Sequence, residues 1–524
     1  MPTATRLLRR LSLLVAFPWI LATGCDTSPN PLEPGIAPPA HIAVVPEDLV
    51  LLERDSVALT AVVTDSAGDV LRSYLVEWRS TQPRVAKVSA AGVVLAHGIG
   101  STRIVARAGA AACTTAVAVE ALFESVSAGA SHTCAVSTGH NAYCWGEGAL
   151  GRRGDGTDRA RSSPGLVYGE YTYRGVSAGL GTTCGFGGTQ ALCWGNNGSG
   201  QLGHGDKGDA WTPISVAPLD PLGFGVVAVN TRHACGVTAD AGTAYCWGSD
   251  FAGQLGDGGH PSSQLPTPVA GGLAFSSVDV GMWFSCGVTQ EGHAYCWGLS
   301  DKGQLGTAAL TDVCGDVRYT EQPCSKEPVR AAEGLMVSAL TTGSAHVCAL
   351  TPDGVAYCWG DNAAGQLGDG TTTSSTRPVR VQSERRFVSI AGGDRHTCAL
   401  TADGTAYCWG SNVHDQLGAV GAFDRCGGWS CSLTPSRVAG GLRFRSIAAA
   451  RGPGGAHTCG VTESDLAYCW GSNDRGQLGT GFQGGTSPEP ALVVGQPVSR
   501  DSGVAHAVFG TAANAHDRSC QTPE

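Results

Sequence analysis

The chain has 524 residues, room for two or three domains that each bury a core of their own. Only 15% of them are charged while 76 are glycine, a composition that suits many tight turns between short strands. The formal net charge of −10 is spread along the chain without an acidic or basic tail, which leaves a nucleic-acid-binding surface without electrostatic support.

At the N-terminus, Arg6, Arg9 and Arg10 precede the apolar run Leu11 to Leu21. That run is too short to span a bilayer but fits the core of a secretory signal. Export also suits the 21 cysteines, which a reducing cytosol would hold as thiols or metal ligands and an oxidising compartment joins in pairs. The run ends in Ala22-Thr23-Gly24-Cys25, which resembles the cleavage box of bacterial lipoproteins, with Ala22 where that family more often has leucine. The resemblance implies a signal peptide over residues 1–25 and a lipid anchor on Cys25, each buried methylene contributing about 0.8 kcal/mol to membrane binding. Ordinary secretion, with Cys25 incidental, is the alternative. Pro29, Pro31, Pro34, Pro38 and Pro39 then make residues 26–40 an extended stalk. No later stretch is long and apolar enough for a transmembrane helix.

From His41 to Glu120, short β-rich segments such as Val57 to Val63, Tyr74 to Trp78 and Ser101 to Ala106 are separated by Gly, Asp and Pro, a pattern that predicts a small β-sandwich. The run Pro83 to Ser89, with Gly92-Val93-Val94 and Gly100-Ser101-Thr102 after it, resembles the second group of bacterial immunoglobulin-like domains. That resemblance implies a spacer, or alternatively an adhesive module.

The remainder, residues 121–524, is repetitive. A Cys-Trp-Gly triplet begins at Cys144, Cys193, Cys246, Cys296, Cys358, Cys408 and Cys469, about 50 residues apart, and each copy follows another cysteine. The expected disulfides are Cys134/Cys144, Cys184/Cys193, Cys235/Cys246, Cys286/Cys296, Cys348/Cys358, Cys398/Cys408 and Cys459/Cys469. In the sixth copy, Thr401 and Thr405 flank Ala402-Asp403-Gly404, which suits a three-residue hairpin loop ending in a left-handed glycine. Counting outward pairs Leu400 with Ala406, Ala399 with Tyr407 and Cys398 with Cys408, close enough for a cross-strand disulfide. Alternation sends Tyr407 and Trp409 to one face and Cys408 to the other. A sheet apolar on both faces needs covering on both sides, and radial stacking supplies it, so seven units of about four strands predict an all-β chain dominated by a seven-bladed β-propeller.

The repeat, with Ala128-Gly129-Ala130-Ser131-His132-Thr133-Cys134 and the stretch Trp470 to Gly479, resembles the regulator of chromosome condensation repeats over about Ala121 to Val494. The resemblance implies a propeller closed by pairing strands from both chain ends, so that Pro490 to Val494 joins the first repeat. It also implies a protein-recognition platform, as in a secreted β-lactamase inhibitor of this kind. The family's namesake promotes nucleotide exchange on a cytosolic GTPase, which an exported chain would not meet.

Catalytic and metal motifs are not found. His132, His233, His346, His396 and His457 share one repeat position on separate blades, which favours structural hydrogen bonding over metal ligation. Two glycine-rich matches to a dinucleotide fingerprint lack the strand-to-helix context that would aim a helix at phosphate. Arg153-Gly154-Asp155, a cell-adhesion tripeptide, falls where other copies read Leu-Gly-Asp. No cofactor is expected. The intervals Trp297 to Trp359 and Trp409 to Trp470 are 62 and 61 residues, and both insertions carry their own cysteine pair, Cys314/Cys324 and Cys426/Cys431. These stapled loops put Arg318, Tyr319, Phe423, Arg425 and Trp429 on one rim as candidate partner-binding residues; neutral insertion is the alternative. Cys113 and Cys520 remain, and an interdomain bridge between them is one possibility. The expected function is a lipid-anchored envelope protein that binds another envelope or extracellular protein. The alternatives are a propeller enzyme on surface polysaccharide or peptide, with converging carboxylates or histidines at inner-strand ends, and a structural adhesin.

Overall fold

A computed structural model of the protein describes residues 37–187, 190–216, 223–259, 261–310, 312–314, 321–421 and 423–497. The expected signal segment, Cys25, most of the stalk, Arg318, Tyr319 and Cys520 lie outside them. Cys113 is disulfide-bonded rather than a free thiol.

Residues 41–120 form nine strands in three sheets. In the largest, Asp48–Leu52 runs parallel to Ala111–Glu120, which pairs antiparallel with Gly100–Ala108, and that strand pairs with Glu77–Ser80. Alternation along Gly100–Ala108 buries Thr102, Ile104, Ala106 and Ala108. Ile104, Ala106 and Ala108 meet Ile42, Val44, Val117 and Val119 in one core.

Seven antiparallel sheets follow, each from a contiguous stretch: residues 123–166, 175–215, 224–268, 275–330, 339–380, 387–437 and 444–492, here sheets 1 to 7. Five have four strands; sheets 4 and 6 have five. The first strands stand side by side around an axis, and Phe123–Ala128 of sheet 1 touches both Gly175–Ala178 of sheet 2 and Phe444–Ala449 of sheet 7, so the row closes as a propeller.

The cysteine hairpins have the register expected from their loop lengths. Cys398 faces Cys408, Ala399 faces Tyr407 and Leu400 faces Ala406, with the two cysteine Cα atoms 4.1 Å apart and their sulfurs bonded. The six equivalent hairpins are bonded likewise, including those whose cysteines are 9 and 11 residues apart. Tyr407 and Trp409 enter a core shared with Cys348 and Leu350 of sheet 5, while Cys398 and Cys408 enter one shared with Trp470 of sheet 7. Each sheet therefore turns its aromatics to one neighbour and its disulfide to the other.

The seven tryptophans of the Cys-Trp-Gly triplets are fully buried, and each indole N–H donates to a main-chain carbonyl of the preceding sheet. Trp145 of sheet 1 donates to Gln477 O of sheet 7 at 2.9 Å, completing the circuit. Glycine of the Gln-Leu-Gly motif permits this approach. Gly368 has φ +69° and lies against Trp409, where a Cβ would sit 2.6 Å from the indole nitrogen.

One expectation is corrected. Thr486–Leu492 pairs with Ala467–Ser472 inside sheet 7 and not with the first repeat. Among the described residues no sheet is shared between the first and last repeats; there the ring closes by side-chain packing and by main-chain bonds from Ala121 N to Gly495 O at 3.0 Å and from Phe123 N to Asp465 O at 2.8 Å.

Candidate functional site

The five repeat histidines are fully buried and lie between sheets. His346 Nε2 is 2.9 Å from Thr397 Oγ1 on the next sheet, and that hydroxyl donates its own proton to Gln366 O. The hydroxyl must then accept, so Nε2 carries the imidazole proton. His132, His233, His396 and His457 repeat the arrangement against Thr183, Ser285, Thr458 and Thr133. In all five the buried Nδ1 has no hydrogen-bond partner. Burial pushes the pKa down to about 3 for His233, His396 and His457 and to about 4 for His346, and well down for His132. These are neutral, hydrogen-bonded joints. Among the described residues no group of three or more His, Cys, Asp or Glu side chains is placed to hold a metal ion.

Each sheet's first strand leads into a short turn at one end of the ring, and its third strand leads into the long connection at that same end; we call this face upper. The hairpins carrying the disulfides point to the lower face, where the N-terminal sheets dock. There the Glu53 carboxylate accepts from the Tyr143 hydroxyl at 2.8 Å and from Asn141 Nδ2, Ile99 N donates to the Tyr143 oxygen at 3.3 Å, and Lys87 pairs with Glu170 at 2.6 Å. Because the N-terminal sheets occupy the lower side, the upper face is the more open one.

Both insertions are on the upper face, as short fifth strands at equivalent outer edges. Asp312–Cys314 pairs with Gln322–Arg330 in sheet 4 and Asp424–Cys426 with Trp429–Arg437 in sheet 6, and Cys314–Cys324 and Cys426–Cys431 bond across them. Trp429 is 67% exposed at the hairpin tip, and Arg425 donates to Gly428 O at 3.0 Å. Phe423 does not join them, because it packs against the core between sheets 6 and 7. Sheet 5 separates the two stapled hairpins. The Arg153-Gly154-Asp155 tripeptide is also unavailable: the Arg153 side chain is 2% exposed and ion-paired with Asp155 at 3.2 Å.

A second upper-face cluster was not singled out by the sequence. Trp283, in the first turn of sheet 4, stacks edge to face with Phe251 of sheet 3 at 6.5 Å, and the exposed Arg232 guanidinium lies 5.5 Å from the Trp283 ring. Phe251 continues into a groove of about 190 Å³ lined by Asp250, Gly253, Gly259, Val313, Cys314 and Lys326. At the axis, the turn of sheet 7 over residues 450–456 crosses the mouth. Arg451 pairs with Asp279 of sheet 4, whose other oxygen accepts from Thr342 N at 2.9 Å, and Gly454 N donates to Asp394 at 3.2 Å. The inner-strand carboxylates expected of an active site are thus occupied by partners within the fold.

The family described as RCC1-like domain matches residues 193–515, more than half of the chain, and the regulator of chromosome condensation repeat matches residues 123–152. The chain belongs to the RCC1-like domain family. It is 30% identical over 311 residues to the human E3 ubiquitin-protein ligase HERC2, covering 55% of this chain and 6% of that protein, and 31% identical over 255 residues to the Arabidopsis thaliana ultraviolet-B receptor UVR8, covering 47% and 54%. The chain thus spans little of HERC2 and about half of UVR8. Among solved structures, yeast RCC1 (Prp20) bound to Kap60 has a TM-score of 0.57 at 22% identity, covering 67% of this chain and 83% of that one, and human WBSCR16 has 0.58 at 20%, covering 68% and 95%. These likenesses agree with the propeller fold.

Within the RCC1-like ring, the signal that could have exposed the aromatic cluster is positional. The place of Trp283 is held by Ser131, Gly181, Arg232, Ala345, Arg395 and Ala456 in the other repeats, and the place of Phe251 by Gly198, Asp301, Ala363 and Asp474 in four of them. Large rings at two positions that are otherwise mostly small or polar, in adjacent repeats, mark an exposed surface under different demands.

Proposed function

We propose that the chain is an exported, lipid-anchored envelope protein in which a seven-bladed RCC1-like propeller acts as a protein-binding scaffold. Residues 1–25 are its signal peptide, Cys25 its anchor, 26–40 a stalk, 41–120 an immunoglobulin-like spacer and 121–524 the propeller with its tail. The observation that carries the reading is the division of labour in the ring: buried polar groups are consumed in joints between sheets, while apolar and basic side chains stand exposed on the face turned away from the spacer. The disulfides support an oxidising compartment, and no helix among the described residues is long and apolar enough to cross a membrane.

The test is affinity capture from native envelopes with the full chain and with a variant whose two stapled hairpins are replaced by short turns, beside a Cys25→Ser variant in a radiolabelled-palmitate experiment. One discrete protein captured by the full chain, with label dependent on Cys25, is expected. Hydrolysis of envelope polysaccharide or peptide without a captured protein would replace the scaffold reading by the catalytic one.

A further inference from the structure

We infer that Cys113, in the N-terminal sheets, is bonded to Cys520, so that one disulfide closes a covalent loop around all seven sheets of the ring. The inference rests on the reading of Cys25 as the lipid anchor.

The sequence holds 21 cysteines, and nine pairs within the ring take up all of them except Cys25, Cys113 and Cys520. Cys113 is disulfide-bonded as well, and the residue facing it across the ladder is Ala106, not a cysteine. Its second sulfur therefore comes from Cys25 or Cys520. A lipidated Cys25 carries its lipid on sulfur, which leaves Cys520.

The path for that pairing is short. Gly495 O accepts from Ala121 N at 3.0 Å and Gly495 lies against Ile99, so sheet 7 delivers the chain directly to the N-terminal sheets. Gln496 is buried and fixes the chain there, its side chain bonding Ala467 and Val493. From Ala121 back along the strand to Cys113 is roughly 26 Å at about 3.3 Å per residue. The segment from Pro497 to Cys520 can span up to about 75 Å when extended. Cys113 itself is 5% exposed in the N-terminal core, which shields the bond from thiol exchange.

Such a bond acts where the other nine do not. Those join cysteines 5 to 11 residues apart, each pair inside one sheet, so none of them opposes separation of sheet 7 from sheet 1. No chain segment passes directly from sheet 7 to sheet 1, and no sheet is shared there among the described residues. A Cys113–Cys520 bond ties the strand that enters sheet 1 to the chain that leaves sheet 7 and resists opening at that seam. It forms as the two thiols give two protons and two electrons to a disulfide-donating oxidant of the export compartment, whose own disulfide is reduced to a dithiol.

The experiment is non-reducing tryptic mapping by mass spectrometry of the full chain, alkylated as it is purified from envelopes. Cleavage after Arg107 and Arg152 puts Cys113 in peptide 108–152, and cleavage after Arg518 puts Cys520 in peptide 519–524. These two peptides are expected joined, and separated by reduction; finding them joined with Cys25 unlipidated would uphold the bond and remove the anchor. Cys113 joined to the Cys25 peptide would overturn the bond and the anchor together. A lipidated Cys25 with Cys113 or Cys520 alkylated, or with Cys113 joined to another molecule, would overturn the bond alone and leave the scaffold reading standing. In thermal unfolding, Cys520→Ser and Cys113→Ala should each lower the midpoint by several degrees, and the double variant should match Cys113→Ala; additive losses would overturn the inference.

Discussion

Acidification from pH 7.5 to pH 5 should destabilise the ring through its histidines, by an amount that can be worked from the joints themselves. In the folded state Nε2–H donates to a hydroxyl and the bare Nδ1 faces protein, so a second proton would be an unpaired buried charge, and the pKa falls to about 3 or 4. In the unfolded chain each imidazole titrates near 6.5. A folded pKa below the unfolded one means that the unfolded state takes up protons first. The stability is therefore complete above about pH 6.5 and is lost as pH falls from there toward the folded values. At pH 6 the cost is about 1 kcal/mol per histidine and at pH 5 about 2 kcal/mol, so the joints of His233, His346, His396 and His457 together approach about 8 kcal/mol if they act independently, with His132 acting in the same direction. Urea unfolding at fixed ionic strength, read at pH 7.5, 6 and 5, should show a midpoint falling steadily with pH.

The chain supplies its own control. Where the histidine is absent, the hydroxyl it would meet is absent too: Thr182 stands opposite Ala234 and Phe284 opposite Val347. Installing the second pair, as His346→Phe with Thr397→Val, should remove about one fifth of the pH sensitivity. Thr397→Val alone should cost about 1–3 kcal/mol at pH 7.5, because it strands a buried imidazole N–H. A midpoint that does not move between pH 7.5 and 5, or imidazole proton resonances that titrate near 6.5 in the folded protein, would refute the reasoning.

Three further outcomes are expected. Cys398→Ser with Cys408→Ser should lower stability by about 3 kcal/mol, the chain-entropy value for so short a loop, measured by denaturant unfolding against the oxidised parent. Gly368→Ala should cost more than 2 kcal/mol, since the new methyl must displace the Trp409 indole and the residue keeps a positive φ; near-ultraviolet circular dichroism would report the ring displacement. Glu53→Ala should leave the Tyr143 hydroxyl and Asn141 amide without their acceptor, loosen the N-terminal sheets from the ring, and make the chain around residue 121 cleavable in limited proteolysis while the ring's own unfolding transition holds.

Much of the architecture was legible because it is local. Loop length and strand period are enough to place Cys398 opposite Cys408 and to separate Tyr407 from Cys408, and seven copies of that logic make a ring. The histidine joints were half legible: the repeat position indicated a structural role, and the paired losses at Thr182/Ala234 and Phe284/Val347 were present in the sequence but meaningful only once neighbouring sheets were known to meet there. Closure was misjudged at Pro490 to Val494, since nothing in a short strand says which of two edges hundreds of residues apart it will join. Trp429 is exposed at its hairpin tip, whereas Phe423, three residues before Cys426, is half-buried against the core between sheets 6 and 7.

A ring of quasi-equivalent sheets makes departure from the repeat the informative quantity. The indole bonds recur in all seven sheets and therefore report what closure requires. The polar joints recur in five and are replaced in two, by Thr182 with Ala234 and by Phe284 with Val347, which shows that they too belong to packing. What packing does not ask for is a tryptophan and a phenylalanine in adjacent upper-face turns, a bonded fifth strand beside them, and an arginine left over an aromatic ring.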